Sequence, residues 1–464
     1  MKKNSLLMAA LLSLGLTTAN AQIGLVYDFP VSGATVPAGP VILSGRTLYG
    51  TTLEGGAHSK GCIYSVDTNG TGYKDLYDFK NVFGPEGSLV LSGSTLFGVT
   101  RAGLSDSGCI FAIDTDGSGY TDLHDFMGPD GESPYGGLTL SGSVLYGMTL
   151  NGGAHHRGVI FSINTNGTGY TDMFNLDATT GCNPLGPLTL ENGLLYGETV
   201  SGGANAAGDV FCIKPNGTGF RDLYDFNPNS IYGNDGYLTP LRNKLYGMVN
   251  QGGVGASGGI FSIDTNGGGF TDVYEFPGYF VDDAGGLTLV GNLFFGTNGD
   301  GGSNMTGDGA IFSIDTAGSG FRELYDFNGT YGAGLNGSLV YSKDKLYGTA
   351  EGGGSQNFGT VFKYDTTVIA TGVNELIAKS EEVRIYPNPS NGMFNLTISN
   401  YELGINNTVE IYNMLGEKVY SNYQITKSSN YQIDLSSQPA GLYLYRVITQ
   451  NGELAGEGKI EIQK

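Results

Sequence analysis

The sequence predicts an all-β chain: a seven-bladed β-propeller closed by its own N-terminal strand, then a small Ig-like β-sandwich. Three observations predict it. An aromatic-Gly pair recurs at Tyr49-Gly50, Phe97-Gly98, Tyr146-Gly147, Tyr196-Gly197, Tyr246-Gly247, Phe295-Gly296 and Tyr347-Gly348, in steps of 48, 49, 50, 50, 49 and 52 residues; so steady a period means a repeat architecture. Each unit reads as four short strands, which is one propeller blade. The array begins with an orphan fourth strand, Gly24–Phe29, and stops after a third strand, Thr360–Asp365.

The unit Gly137–Leu176 shows the pattern. Leu138–Leu140 is a short first strand, and Ser141-Gly142 supplies the positive φ of a tight hairpin turn. Val144–Thr149, apolar and aromatic, is the second strand, and a Gly-Gly loop, Asn151–Gly158, follows. Val159–Ile163 is almost continuously apolar, as expected of a strand covered on both faces. Asn166-Gly167-Thr168-Gly169 turns the chain into a fourth strand, Tyr170–Leu176. An open stack gains nothing from the offset at the array's ends. A closed ring does: the first strand completes the last blade and covers two sheet edges that would otherwise invite aggregation.

Composition sets limits on function. The chain has 464 residues, 79 of them Gly, no Trp and a formal charge of −21. The glycines are phased with the repeat and read as turns, not disorder. The acidic balance disfavours nucleic acid, which selects basic surfaces, and suits a mutually repelling exported protein. Residues 1–21 read as a signal peptide: Lys2 and Lys3, an apolar core Leu6–Leu16, and Ala19-Asn20-Ala21 ahead of a mature start at Gln22. No later apolar run is long enough for a transmembrane segment. Residues 22–365 form the propeller, 366–384 a linker, and 385–464 a second β domain with strands expected at Phe394–Ser399, Val409–Tyr412, Gln432–Leu435, Leu442–Ile448 and Lys459–Ile462. Four Cys in an exported protein allow disulfides, but Cys62 and Cys109 sit at equivalent places in consecutive blades, and mostly buried free thiols are expected.

Ordered motifs in the last segment carry a family resemblance. They are Tyr386-Pro387-Asn388-Pro389, Gly392-Met393-Phe394, Val409-Glu410-Ile411-Tyr412-Asn413 with Gly416, and Pro439-Ala440-Gly441-Leu442-Tyr443. The segment resembles the type IX secretion C-terminal sorting domain of the Bacteroidetes. The resemblance implies contact with the type IX secretion machinery, passage of the outer membrane, and in many members attachment to surface lipopolysaccharide. The repeats, with LYGxTxxGG, G-x-[VI]-F, D-x-x-G-x-G and L-Y-x-F, resemble the GloVer tandem repeat. That resemblance implies architecture and location, not an activity.

Antiparallel order places the second-to-third strand loops and the blade-to-blade connections on one face. This face carries the variation: Lys80–Glu86, Met127–Tyr135, Ala178–Gly186, Asn227–Gly236 and Pro277–Ala284 all differ, and variable loops on a rigid scaffold are where binding tends to sit. The residue before each Gly-Gly loop also differs by blade: Glu54, Arg101, Asn151, Ser201, Gln251, Asp300 and Glu351. These seven are the candidate ligand-facing ring; solvated loop residues are the plainer reading. The acids of the YDF-like strands (Asp28, Asp78, Asp125, Asp225, Glu275, Asp326) recur in nearly every blade, so a structural role is expected. In the third-to-fourth hairpin, Asp114, Asp116, Ser118 and Asp122 space oxygens as a calcium loop would. The hairpin resembles those of integrin-type propellers, but Ser replaces an acid at its fifth place, and a plain Asp-capped turn competes with it. No other cofactor is indicated.

The function expected from the residues is an exported, non-enzymatic binding protein for a glycan or protein ligand. The alternatives are a polysaccharide-acting hydrolase or lyase on the same scaffold, and a calcium-stabilised structural adhesin. Acids, His or Arg converging on the axial mouth would favour the enzyme.

Overall fold

The computed structural model describes residues 22–367 and 383–464 apart from 32, 81–86, 102–106, 235, 254, 279–284, 304–305, 336, 387–389, 399–406, 414–417, 426–430 and 449–453. The signal segment, Ala21 included, and most of the linker lie outside the described residues. The described chain divides into two compact units between Thr366 and Thr367.

In the first unit, the apolar third strands organise each sheet. Cys62–Asp67, Cys109–Asp114 and Gly259–Asp264 are buried at every position but the last. Among the described residues the unit contains seven antiparallel sheets of four or five strands, each in simple up-and-down order. The third runs Thr139–Ser141, Val144–Met148, Val159–Asn164, Thr171–Asn175.

The last sheet takes its outer strand from the other end of the chain. Ile23–Asp28 pairs antiparallel with Thr360–Asp365, with Leu25 opposite Phe362. The local detail is telling. Where third and fourth strands pair within a unit, the register slips by one residue, as between Ile63/Tyr64, Ile160/Phe161 and Ile311/Phe312. The same slip falls between Leu25 and Tyr27. The bulged residue, Leu76 in blade one and Val26 at the seam, turns its carbonyl to the hairpin of the next blade. A Cβ on Gly117 would lie 2.8 Å from the Leu76 oxygen, and one on Gly70 2.5 Å from that of Val26. The bulge re-aims one residue for an inter-blade contact, and the closing strand repeats it.

Blades meet at two radii. Inside, first strands of successive blades touch. Thr189 and Thr239 donate their hydroxyls to the carbonyls of Leu238 and Leu287 in the following blade, at 2.8 and 2.7 Å. Thr349 of the last blade donates to Gly39 of the first at 2.8 Å. Beside these bonds lies a glycine ten residues before each aromatic marker. A Cβ on Gly136 would sit 2.3 Å from the Gly186 oxygen, and one on Gly186 1.9 Å from that of Gly236. Outside, aromatic side chains of neighbouring fourth strands stack face to face: Tyr77 on Tyr120, His124 on Tyr170 and Tyr224 on Phe270 have centroids 3.7–3.8 Å apart. At the closing strand Ile23 takes the corresponding place.

Of the blade-to-blade connections, Lys80–Glu86 beyond Lys80 and Pro277–Ala284 beyond Gly278 lie outside the described residues. Among the described residues, three others pair a stretch of their chain back onto the end of the second strand that follows, as with Ala34 opposite Gly55, Ile231 opposite Gly252 and Ala333 opposite Gly352. Glu132 and Cys182 bridge to Asn151 and Ser201 in the same way.

The second unit is two facing sheets. One is Val383–Tyr386, Met393–Ile398 and Tyr431–Asp434. The other is Lys418–Ile425, Asn407–Asn413, Gly441–Ile448 and Leu454–Ile462. Phe394, Leu396 and Ile433 from the first pack with Val409, Ile411, Val447 and Ile460 from the second in one core, which is sandwich packing.

Candidate functional site

The variable face is held from beneath by the recurrent acids. Asp78 accepts the N–H of Ala57 at 2.8 Å and Asn175 that of Ala154 at 2.7 Å. Asp225 accepts that of Ala204, and Asp28 reaches across the seam to Ser355 N at 3.1 Å. Each carboxylate or amide therefore fastens the Gly-Gly loop of its own blade, which suits a group repeated around the disc.

Above these anchors the seven residues of the candidate ring stand at the ends of the second strands. Glu54 is exposed opposite Thr35, and Gln251 is exposed opposite Tyr232. Asp300 is exposed and Glu351 half-buried. Arg101 is exposed, its guanidinium carbon 5.6 Å from the Tyr135 ring centroid. Asn151 and Ser201 share a partner, Asn183. Asn183, on the connection into blade four, donates its side-chain amide to Asn151 Oδ1 at 3.2 Å and to the Leu150 carbonyl at 3.1 Å. It accepts Ser201 Oγ–H on its own Oδ1 at 3.1 Å. Asn183 holds φ at +60°, a conformation Asn tolerates better than most residues. One amide thus ties two neighbouring blades at the face, with all three side chains half-buried.

The hairpin oxygens are used locally. Asp116 accepts both the N–H and the hydroxyl of Ser118, at 2.9 and 2.7 Å, and these bonds lower its carboxyl below the usual range. Asp114 accepts Thr95 Oγ at 3.0 Å and Asp122 accepts Tyr120 OH at 2.8 Å. The structure brings a different carboxylate trio together: Asp209, Asp222 and Asp225 are the one group of three His, Cys, Asp or Glu ligand atoms within 4.8 Å of one another among the described residues.

In the second unit, Gly392 holds φ at +108°, and a Cβ there would meet the Cα of Ser436 at 2.7 Å. Tyr443 donates its hydroxyl to the Pro439 carbonyl at 2.9 Å, Gly441 sits at φ +151°, and Tyr386 is exposed. Pro387, Asn388, Pro389 and Gly416 lie outside the described residues. On the opposite sheet Glu410, nearly buried, accepts Lys418 Nζ at 2.8 Å, Arg446 Nε at 2.7 Å and Tyr412 OH at 2.7 Å. These hydrogen bonds hold its carboxyl down at about 2. All four Cys are buried and unbridged, and burial pushes the Cys109 thiol up to about 12.

Two groups escape a reading of the sequence by motif. Asn183 lies in a connection whose x-Pro-x-Gly end repeats as Val36–Gly39 and Ser133–Gly136, but the asparagine itself belongs to this blade and not to those two. Asp209 was visible: its column reads Cys62, Cys109, Val159, Asp209, Gly259, Ala310, Thr360, and one acid among small and apolar residues is the signal.

Comparison with known proteins gives two family matches. Residues 14–171, 85–308 and 234–382 match the Gloeobacter/Verrucomicrobia repeat, and residues 384–461 match the secretion system C-terminal sorting domain. No curated protein matches the chain. Among solved structures the chain is similar to the extracellular domain of a hybrid two-component system from B. thetaiotaomicron, at 11% identity and TM-score 0.48, covering 94% of this chain and 59% of that one. It is also similar to the β-propeller domain of the Trilobed protease from Pyrococcus furiosus, at 8% identity and TM-score 0.44, covering 72% and 96%. A third is the GH74 xyloglucanase from Xanthomonas campestris, at 10% identity and TM-score 0.46, covering 81% and 59%. Among the described residues no helix is long and apolar enough to cross a membrane.

Proposed function

The chain belongs to the Gloeobacter/Verrucomicrobia repeat family and ends in a type IX sorting domain, and from that premise we propose that it is an exported glycan-binding propeller. The sorting domain makes it a secreted or cell-surface protein and a client of the secretion machinery. The finer reading is ours. Residues 1–21 are a signal removed before Gln22, residues 22–365 are the working propeller, and a linker at 366–384 joins it to a sorting domain at 385–464.

The observation that carries the binding role is the Asn151–Asn183–Ser201 cluster. Half-buried amide and hydroxyl groups, already oriented by one another, present fixed donors and acceptors on the variable face. Such pre-organisation reduces the ordering cost of binding. The Arg101–Tyr135 pair adds a flat, partly apolar partner on the same face. Hydroxyl-rich sugar rings match this mixture of directional polar groups and aromatic surface. A glycan-array screen of the full chain beside its Asn183→Gly variant tests the reading. Glycans retained by the parent and lost by the variant support it; an array with no bound glycan, or one insensitive to Asn183, overturns it.

A further inference from the structure

Blades one and two show one way in which this fold satisfies the acid in the middle of the fourth strand. Asp75 accepts Tyr73 OH at 2.5 Å and faces the Cys62 thiol at 3.5 Å. Asp122 accepts Tyr120 OH at 2.8 Å and faces the Cys109 thiol at 3.7 Å. Each acid has one hydroxyl donor and one thiol donor, from the same two repeat positions.

Blade four changes both positions at once. Phe220 stands where the tyrosines stand, so the hydroxyl is gone. Asp209 stands where the cysteines stand, so a thiol donor has become a carboxylate. Asp222 therefore meets an acid where Asp75 and Asp122 meet donors, and Asp225 closes the trio.

The buried member supplies the second observation. Asp209 is 0% exposed. Its Oδ1 accepts Thr199 Oγ–H at 2.8 Å, while its Oδ2 is buried with no hydrogen-bond partner and lies on the Asp225 side, since a Cβ on Gly203 would be 3.3 Å from Asp209 Oδ2 and 2.4 Å from Asp225 Oδ1. A buried carboxylate oxygen left unmatched is costly. Two glycines leave room around it: a Cβ on Gly181 would come 2.4 Å from Asp209 Oδ2, and one on Gly203 would come 2.4 Å from Asp225 Oδ1. Asp222 is exposed, so the trio opens to solvent on one side. Burial, then Asp222 and Asp225, push the Asp209 carboxyl up to about 8.

We propose that Asp209, Asp222 and Asp225 form a site for one hard divalent cation, with Ca2+ the best fit, peculiar to the fourth blade. Three carboxylates offer oxygen ligands only, the donor set that such cations select, and the open side leaves places for water. The site lies beneath the Gly-Gly loop of blade four, through Asp225 and Ala204, and beside the connection that carries Cys182 and Asn183.

The test is calorimetric titration of Ca2+, with Mg2+ and Mn2+ in parallel, into the full chain and three variants. Asp209→Cys restores the donor found in blades one and two; Asp222→Asn removes a ligand at an exposed position; Asp116→Asn alters the hairpin loop instead. The expected result is one cation per chain in the parent and in Asp116→Asn, with affinity at least tenfold weaker in Asp209→Cys and Asp222→Asn. Absence of uptake of all three cations, or uptake unchanged in Asp209→Cys and Asp222→Asn, overturns the site. Should Asp209→Cys fail to fold, Asp222→Asn decides alone.

Discussion

The backbone N–H of Asp365 donates to the carbonyl of Gln22 at 2.7 Å. This bond extends the ladder between Ile23–Asp28 and Thr360–Asp365 by one rung and joins the two ends of the array. Removing residues 22–29 should therefore act on the last blade and not only on the N-terminus. Val26 and Phe29 are buried with Val361 and Tyr64 in the seam's core. Losing two such side chains costs about 3–6 kcal/mol. The truncated chain should melt well below the parent, and amide exchange should accelerate first across Thr360–Asp365. Equal melting midpoints would show that the seam contributes nothing.

The glycines between blades make a sharper prediction. Gly186→Ala places a methyl 1.9 Å from the Gly236 oxygen, while Gly45→Ala, at φ +63°, meets nothing within 4 Å. The first carries steric overlap of backbone on backbone and should cost about 2–3 kcal/mol. The second carries only an unfavourable backbone angle and should cost about 1 kcal/mol. Denaturant midpoints of the two variants, measured side by side, check the order.

Much of this could be read from the chain before any coordinates. The aromatic-Gly period, the doubly apolar third strands and the offset ends of the array all report local chemistry, and closure follows from counting. The pairing of connections onto second strands could not be read, because it depends on where loops of unequal length return. Asn183 is not legible although Asn151 and Ser201 are: Val36 and Ser133 share its place before a proline and its positive φ, and only the fold shows that the Asn183 amide reaches both blades. Asp209 stands out in its column, but its meaning needs Phe220, eleven positions on and just ahead of the fourth strand Arg221–Asp225. The Glu410 cluster was hidden similarly, since its three partners come from three strands.

Asn183→Gly keeps a residue that accepts positive φ while deleting the amide. Stability should change by only about 1 kcal/mol, since the bonds lost are at a half-buried surface. Binding of any glycan held at the blade three–four face should weaken about tenfold or more. A stability loss large enough to unfold the propeller would instead make Asn183 a structural linchpin.

Glu410 gives the sorting domain an acid sensitivity of its own. Its carboxyl is held at about 2 against an ordinary value of 4.5. Stability from this group is complete above pH 4.5 and is lost as pH falls toward 2. Glu410→Gln should cost about 1–2 kcal/mol at neutral pH, discounted because Lys418 and Arg446 are partly exposed, and should flatten the domain's stability between those pH values. An unchanged slope would mean that other acids dominate there.

The bare backbones that face one another around the inner radius have a further consequence. A linear stack can absorb an oversized joint by splaying at its free end. A circle has no free end, so extra width at one joint must be taken up by compressing or tilting the others. The glycine ten residues ahead of each aromatic marker therefore sets a manufacturing tolerance for the whole wheel, and a substitution in one spoke should register in spokes that it never touches.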